Sequence, residues 1–257
     1  NKQETLVEAL RGQDALVITL GNRTPKETDL ALINAAGEAG VKWILPNEWG
    51  PDNTREDIVR DLFIFKEKGG IRSAIETLGK SSHISVATGF WYEWSVGITS
   101  AFGFDFDKRS VTLFDEGTTK VAVSTWPQVG RTVAAILSLS QPDLDSLKNK
   151  VIYVNSFTVN QRDMLDSVLR VTGTKEEDWQ ITKEPSTKRY TDGMAEMKQG
   201  DQNGFAKMLY SRIFYPDGNG DFEKSKGVVN ELLGLPKEDI DEATKIGIRR
   251  SKENPWP

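Results

Sequence analysis

Lys68 is the residue whose type and position most directly suggest chemistry. The region from about Arg55 to Leu78 has the spacing of one long helix, with an apolar stripe at Ile64, Ile71, Ile75 and Leu78. Lys68 falls on this apolar stripe, whereas Lys66 and Glu67 fall on the polar face. A lysine in this position either snorkels, with its ammonium group in solvent, or points into a cleft. In a cleft, desolvation lowers its pKa and suits it to proton transfer.

Two glycines follow Lys68 directly in the sequence. Gly69 and Gly70 each cost an α-helix about 1 kcal/mol relative to alanine. We therefore expect a local break of the helix or a close neighbour at this point.

Strands and helices alternate over the first 90 residues, and this alternation must position Lys68. Apolar strands are predicted at 15–19, 41–45 and 84–87, with helices between them. Short strands separated by helices imply right-handed crossovers and a parallel sheet covered on both faces. A helix at 130–137 and a strand at 150–154 indicate a return to the sheet. The sequence therefore predicts an α/β, doubly wound core.

Small and polar residues follow three of the predicted strands. They are Thr19, Leu20 and Gly21 after the first strand, Asn47 and Glu48 after the second, and Thr88, Gly89 and Phe90 after the third. In an open parallel sheet, ligands bind beyond the carboxyl ends of the strands. One glycine after a strand is better explained as a turn, but three such segments at one edge favour a cofactor cleft.

Aromatic residues cluster just after the third predicted strand. Trp91 and Trp94 are three residues apart beside the proposed cleft, where they form either ordinary core or the wall of a substrate pocket. The single histidine, His83, lies at the start of a strand and is interpreted as a surface or packing residue.

The composition excludes several classes of protein. Lys plus Arg is 33 and Asp plus Glu is 38, so the net charge of −5 argues against nucleic acid or an anionic membrane as a partner. With no cysteine and one histidine, no metal site is predicted and thiol or Ser-His-Asp catalysis is disfavoured. No apolar run approaches the roughly 18 residues that a membrane span needs.

Two segments carry a resemblance to a known family. The stretch 35–50, AAGEAGVKWILPNEWG, resembles the AGVKRFxPSEFG signature of NmrA-like and isoflavone-reductase-like proteins, which are atypical short-chain dehydrogenases. The stretch 65–76, FKEKGGIRSAIE, resembles their FxxKxxIRRAIE helix, whose lysine is catalytic. The segment 90–94, FWYEW, is similar to the FFxW motif of the fungal-type branch.

The resemblance implies a Rossmann-like sheet domain with a smaller α+β substrate-binding domain, and NADP(H) as cofactor. It implies that Lys68 is the catalytic residue, that Thr88 to Phe90 line the nicotinamide, and that Trp91 and Trp94 belong to the substrate pocket.

Three departures from the family pattern stand out. Family members begin with strands and a Gly-x-x-Gly-x-x-Gly turn that binds the pyrophosphate, and we expect this part of the fold to lie before Asn1. Asn47 replaces the usual serine but still offers a hydrogen bond. Gly69 and Gly70 replace bulkier residues.

Together these features predict an NADP(H)-dependent oxidoreductase that transfers hydride to a small aromatic or conjugated, secondary-metabolite-like substrate. Lys68 is its expected general acid/base. The alternative is an NmrA-type redox sensor, which binds the dinucleotide without catalysis; relatives of that type usually lack the lysine, so Lys68 favours the enzyme. We expect a cytoplasmic monomer or homodimer.

Two domains are expected. The predicted NADP-binding domain comprises residues 1–90 together with 126–157, and the predicted substrate-binding domain comprises residues 91–125 and 158–257.

Overall fold

A computed structural model of the protein describes residues 2–21 and 24–253. The strands of these residues are β1 (Ala15–Val17), β2 (Trp43–Leu45), β3 (Ser82–Ala87), β4 (Phe90–Trp91), β5 (Phe104–Asp105), β6 (Ser110–Phe114), β7 (Val121–Ser124), β8 (Lys150–Tyr153), β9 (Phe157–Val159) and β10 (Gln180–Glu184). Their helices are α1 (Lys2–Leu10), α2 (Lys26–Ala39), α3 (Glu56–Asp61), α4 (Lys66–Leu78), α5 (Tyr92–Val96), α6 (Thr99–Phe102), α7 (Trp126–Leu137), α8 (Gln141–Leu147), α9 (Gln161–Thr172), α10 (Ser186–Lys198), α11 (Gln202–Ile213), α12 (Phe222–Lys226) and α13 (Ile240–Glu253). Short 3-10 turns cover Phe63–Phe65 and Glu176–Asp178.

Four parallel strands form the central sheet in the order β1-β2-β3-β8. The register pairs Val17 with Leu45 and Ile44 with His83. Because all four strands run the same way, their carboxyl ends meet at one edge of the sheet. The predicted parallel α/β core is confirmed.

Helices cover both faces of this sheet. Trp43 packs in one cluster with Ile136 of α7, whereas the next residue, Ile44, packs on the opposite face with Ile33 of α2 and Ile75 of α4. This alternation follows from the two-residue period of a strand. Nearly continuous apolar strands are the pattern expected of a sheet buried on both sides.

Two three-stranded sheets lie outside the central one. One has the order β10-β6-β5 and the other the order β4-β7-β9, and each combines a parallel with an antiparallel pair. Strand β10 was not predicted from the sequence; its register on β6 pairs Ile181 with Val111.

The single long helix predicted over 55–78 is wrong. Leu62 adopts an extended conformation (φ −117°, ψ 93°) that separates α3 from the following 3-10 turn and α4. Ile58 of α3 is buried in the cluster that contains Phe90, whereas Ile71 of α4 is buried in the cluster beneath the sheet. One straight helix cannot bury its apolar face in two separate cores, so the chain bends between them.

The break expected at Gly69 and Gly70 is also wrong, because α4 continues through both residues. A methyl group added to Gly69 would lie 3.6 Å from the Arg72 side chain, and one added to Gly70 would lie 3.8 Å from Lys26 Nζ. Both are ordinary contact distances, so these glycines are not required by close packing.

The ends of several helices follow from local sequence. Gly40, with φ +83°, ends α2 in the left-handed conformation and donates to carbonyls of its last turn. Thr125 accepts a hydrogen bond from the backbone of Gln128 and caps α7, which begins at Trp126, four residues before the predicted start at Gly130. Among the described helices, none is both long enough and apolar enough to cross a membrane.

Candidate functional site

The loops that follow β1 and β2 are joined at the carboxyl edge of the sheet. Asn47 Nδ2 donates a 2.7 Å hydrogen bond to the carbonyl of Leu20, and Trp49 Nε1 donates a 2.8 Å hydrogen bond to the carbonyl of Ile18. Thr19 and Gly21 are exposed at the same edge. These bonds fix the β2 loop against the end of β1.

Lys68 reaches this edge from α4. Its ammonium group donates a hydrogen bond to the backbone carbonyl of Asn47. Lys68 is partly buried on the same helix face as Ile71 and Ile75, and the neighbouring Glu67 is exposed. An ammonium group has three N–H donors, so donors remain on Lys68 beyond the one that Asn47 receives.

The surroundings of Lys68 perturb its charge. Burial lowers the pKa of Lys68 below its usual value, and the negative charges of Glu48, Asp29 and Glu67 oppose this shift. Burial likewise raises the pKa of Asp29, which the charge of Lys68 opposes. The Oδ1 atom of Asp29 is buried and has no hydrogen-bond partner among the described residues. Lys68 therefore combines partial desolvation with nearby carboxylates, a setting typical of acid–base groups.

Glu48 belongs to a buried network and is only 3% exposed. Its Oε2 atom accepts hydrogen bonds from Arg72 and, at 3.0 Å, from Asn53, and its Oε1 atom accepts one from Ser85 at 3.2 Å. Arg72 follows Lys68 by one helical turn, so α4 places two cations on two successive residues of the β2 loop. The carboxylate of Glu48 thus serves to anchor α4.

Thr88 and Gly89, which follow β3, are held through their backbone. Both of their N–H groups donate to the carbonyl of Gly50, at 2.9 and 3.1 Å. Gly89 has φ +66°, and a Cβ atom there would lie 2.0 Å from the carbonyl oxygen of Ala122 in β7. Only glycine fits this position, because β7 passes too close for any side chain.

The aromatic residues after β3 point in different directions. Phe90 is 4% exposed and stacks on Tyr210 at 3.9 Å between ring centroids, so its side chain is part of the core. Trp91 and Trp94 both contact Trp126, at 6.3 and 6.1 Å between ring centroids. The Nε1 atom of Trp91 is buried without a hydrogen-bond partner in the described part of the chain.

Arg250 of α13 covers this tryptophan cluster. Its guanidinium carbon lies 4.2 Å from the ring centre of Trp94 and 4.7 Å from that of Trp126, in cation–π geometry. Burial lowers the pKa of Arg250. The C-terminal helix therefore closes one side of the predicted substrate region.

A separate cleft of about 570 Å³ lies beyond the end of β8. It is lined by polar and charged side chains that include Asn155, Glu223 and Lys237, and by none of the predicted site residues. Within residues 2–21 and 24–253, no group of three or more histidine or acidic side chains is placed to hold a metal ion.

Several residues of this region were missed from the sequence. Arg72 lies four residues after Lys68, and extending the apolar stripe by one turn would have found it. His83 and Ser85 alternate with the apolar Ile84 and Val86 in β3, a polar face in a buried strand that signals a hydrogen-bond network. Trp126 and Arg250 gave no comparable signal, because their contacts join distant parts of the chain.

Comparison with known sequences identifies relatives along most of the chain. The sequence model described as the NmrA-like family matches residues 1–213. The oxidoreductase aprR of Aspergillus flavus is 25% identical over 249 residues, which covers 92% of this chain and 77% of that protein. The oxidoreductase poxI of Penicillium oxalicum is also 25% identical over 249 residues, with 93% and 76% covered.

Solved structures with the same fold include one described as AtPrR2 with NADP+ and (+)pinoresinol. It superimposes with a TM-score of 0.76 and 23% identity, covering 95% of this chain and 78% of that one. An isoflavone reductase gives a TM-score of 0.75 with 21% identity, covering 94% and 77%. These likenesses confirm the predicted Rossmann-like, doubly wound fold.

Proposed function

The chain belongs to the NmrA-like family, and from this premise we propose that it is an NADP(H)-dependent oxidoreductase in which Lys68 is the general acid/base. The observation that carries the proposal is the position of the Lys68 ammonium group, partly buried at the carboxyl edge of the sheet and bound to Asn47. Two of its relatives are named oxidoreductases, and a structure with the same fold holds NADP+.

The residues at this edge fit a nicotinamide ribose on the chemistry of their donors. Lys68 has N–H donors beyond the one that Asn47 receives, and ammonium donors suit ribose hydroxyl groups. The exposed Thr19 and Gly21 and the polar Asn47 lie at the same edge, where open parallel sheets bind ligands. Thr88 and Gly89 would contribute by holding the backbone that follows β3 in place, rather than through their side chains.

The bound dinucleotide would supply the hydride, and the chain would supply orientation and a proton route. We assign to Lys68 the binding of a ribose hydroxyl and the transfer of a proton to or from the substrate. Its lowered pKa brings proton exchange closer to neutral pH, where a general acid/base is most effective.

We further propose a small aromatic or conjugated substrate, held near Trp91 and Trp94. Their cluster with Trp126 offers flat apolar surface, and the unpartnered Nε1 atom of Trp91 offers one donor. In this proposal, residues 1–90 with 126–157 bind the cofactor, and residues 91–125 and 158–257 bind the substrate. A cytoplasmic location and a monomeric or dimeric state belong to the same proposal.

Substitution of Lys68 tests this function, with Lys66 as a matched control in the same turn of α4. Lys68→Met should reduce kcat by about 10²–10⁴-fold, the usual contribution of a general acid/base. The melting temperature should stay near that of the wild type, and NADPH should still bind, but more weakly because methionine cannot donate to the ribose hydroxyl. Lys66→Met, which changes an exposed lysine, should leave kcat unchanged. Turnover is measured as NADPH oxidation with a panel of enones and benzylic ethers.

Two results would overturn the proposal. An unchanged kcat in Lys68→Met would remove the lysine from the reaction. NADPH binding by the wild-type protein without oxidation across the whole panel would instead favour the redox sensor.

A further inference from the structure

Four side chains form a continuous hydrogen-bonded chain from the protein surface to the β2 loop. Glu76 Oε1 lies 2.9 Å from His83 Nε2, and His83 Nδ1 lies 3.1 Å from Ser85 Oγ. Ser85 Oγ in turn donates to Glu48 Oε1 at 3.2 Å. The Glu76 side chain is 49% exposed, whereas His83, Ser85 and Glu48 are almost fully buried. One end of the chain therefore meets water and the other end lies beside the Lys68 site.

The hydrogen bonds can be satisfied together only if this chain holds one extra proton. Ser85 has a single hydroxyl hydrogen, and a carboxylate accepts but does not donate. If Ser85 donates to the Glu48 carboxylate, His83 Nδ1 must donate to Ser85. His83 Nε2 must also donate to Glu76, whose charge is solvated by water at the surface. The imidazole then carries a proton on both nitrogens.

The second arrangement with all bonds intact has the same number of protons. In this arrangement the extra proton is on Glu48 Oε1, which donates to Ser85 Oγ. The hydroxyl of Ser85 then donates to His83 Nδ1. The two arrangements interconvert when the Nδ1–H bond breaks as an Oγ–H bond forms, while the original hydroxyl hydrogen of Ser85 passes to Glu48. No heavy atom moves in this exchange.

Charged neighbours decide which arrangement is favoured. Glu48 Oε2 accepts from Arg72, whose positive charge stabilises the carboxylate form of Glu48. In the described part of the chain, His83 also bonds to the polar Asn149, whose side-chain oxygen accepts from the backbone N–H of His83 at 3.0 Å. This ion pair favours the arrangement in which Glu48 is a carboxylate and His83 Nδ1 donates to Ser85.

The position of this proton matters for Lys68. Glu48 directly follows Asn47, the residue to which Lys68 donates, and the negative charge of Glu48 stabilises the ammonium form of Lys68. The charges of Asp29 and Glu67 also stabilise the ammonium form of Lys68, whereas the charge of Arg72 disfavours it. Transfer of the proton to Glu48 neutralises one of these carboxylates.

We propose that Glu76, His83, Ser85 and Glu48 form a proton-transfer chain that exchanges one proton between solvent and Glu48 and so sets the charge beside Lys68. Glu76, His83 and Ser85 act on the Lys68 site through Glu48, and all four are positioning residues. The consequence for turnover rests on the proposed function, whereas the location of the proton does not.

The single histidine of the chain makes the proton directly observable. Imidazole ¹⁵N NMR of the full chain at pH 7, without cofactor, should show hydrogen on both ring nitrogens of His83. Ser85→Ala removes the acceptor for Nδ1 and should leave a neutral ring with hydrogen on Nε2 alone. Ser82→Ala, the same change earlier in β3, should give the wild-type spectrum.

A wild-type ring without hydrogen on Nδ1 would overturn the proposal, and so would identical spectra for Ser85→Ala and the wild type. Neither measurement needs turnover. A negative result would therefore leave the reductase proposal standing, and a lack of reductase activity would leave the proton chain standing.

Discussion

Replacing Arg72 with methionine should destabilise the protein because it leaves a buried carboxylate without its cation. In the ion pair, the Arg72 side chain is 14% exposed and the Glu48 side chain is 1% exposed. Methionine keeps much of the aliphatic length but leaves Glu48, among the described residues, with the neutral donors Asn53 and Ser85. Removing one partner of a buried pair costs about 3–5 kcal/mol. At about 2–4 °C per kcal/mol for a chain of this size, the melting temperature should fall by roughly 6–20 °C.

The assay is thermal unfolding followed by circular dichroism at pH 7, with Arg60→Met as the matched control. Arg60 pairs with Asp61 but is 71% exposed, and an exposed pair contributes less than about 1 kcal/mol. Adding Glu48→Gln to Arg72→Met removes the unpaired charge and should restore much of the lost stability. If Arg72→Met and Arg60→Met lower the melting temperature equally, the buried pair does not secure α4 to the loop.

Two further predictions concern the stability of the folded chain. Gly69→Ala and Gly70→Ala should each raise the free energy of unfolding by up to about 1 kcal/mol, because both lie in a helix with room for a methyl group. Gly89→Ala should lower the free energy of unfolding, because β7 leaves no room for a methyl group there. Urea unfolding that ranks the three variants in another order would contradict this packing. The Arg170 guanidinium beside Asp241 lowers the pKa of that carboxyl from 3.8 to about 2, so its contribution is present above pH 3.8 and is lost as the pH falls towards 2. The melting temperature of the wild type should therefore fall more steeply over this range than that of Asp241→Asn, and parallel curves would argue against the pair.

The central sheet could be predicted from the sequence because its signals are local. Apolar runs of four or five residues, separated by helical spacing, marked the four strands of the central sheet. The helix over 55–78 was mispredicted for a tertiary reason. Its apolar spacing is regular enough for one helix, and only the existence of two cores, one for Ile58 and one for Ile71, requires the bend at Leu62.

The candidate site was predictable where a side chain acts near its own strand or helix. The placement of Asn47 after β2 and of Lys68 on an inward helix face needed only the position of strand ends and the period of a helix. By contrast, Glu48 was predicted as a cofactor contact, and the structure directs its carboxylate to Arg72 and Ser85. Whether a side chain such as that of Glu48 contacts a ligand or a buried partner depends on residues up to 37 positions away. The spacing of residues in the sequence does not reveal these partners.

The two cations of α4, Lys68 and Arg72, have different roles where this helix packs on the β2 loop. Arg72 pairs with a buried carboxylate and so contributes to stability, whereas Lys68 binds a backbone carbonyl and keeps donors for a ligand. Loss of Lys68 should therefore affect turnover far more than folding. Loss of Arg72 should affect both, because the loop that holds Lys68 is the loop that Arg72 anchors. The proposed chemistry of Lys68 therefore does not require a structural role for this residue, because Arg72, one turn further along α4, forms the buried ion pair.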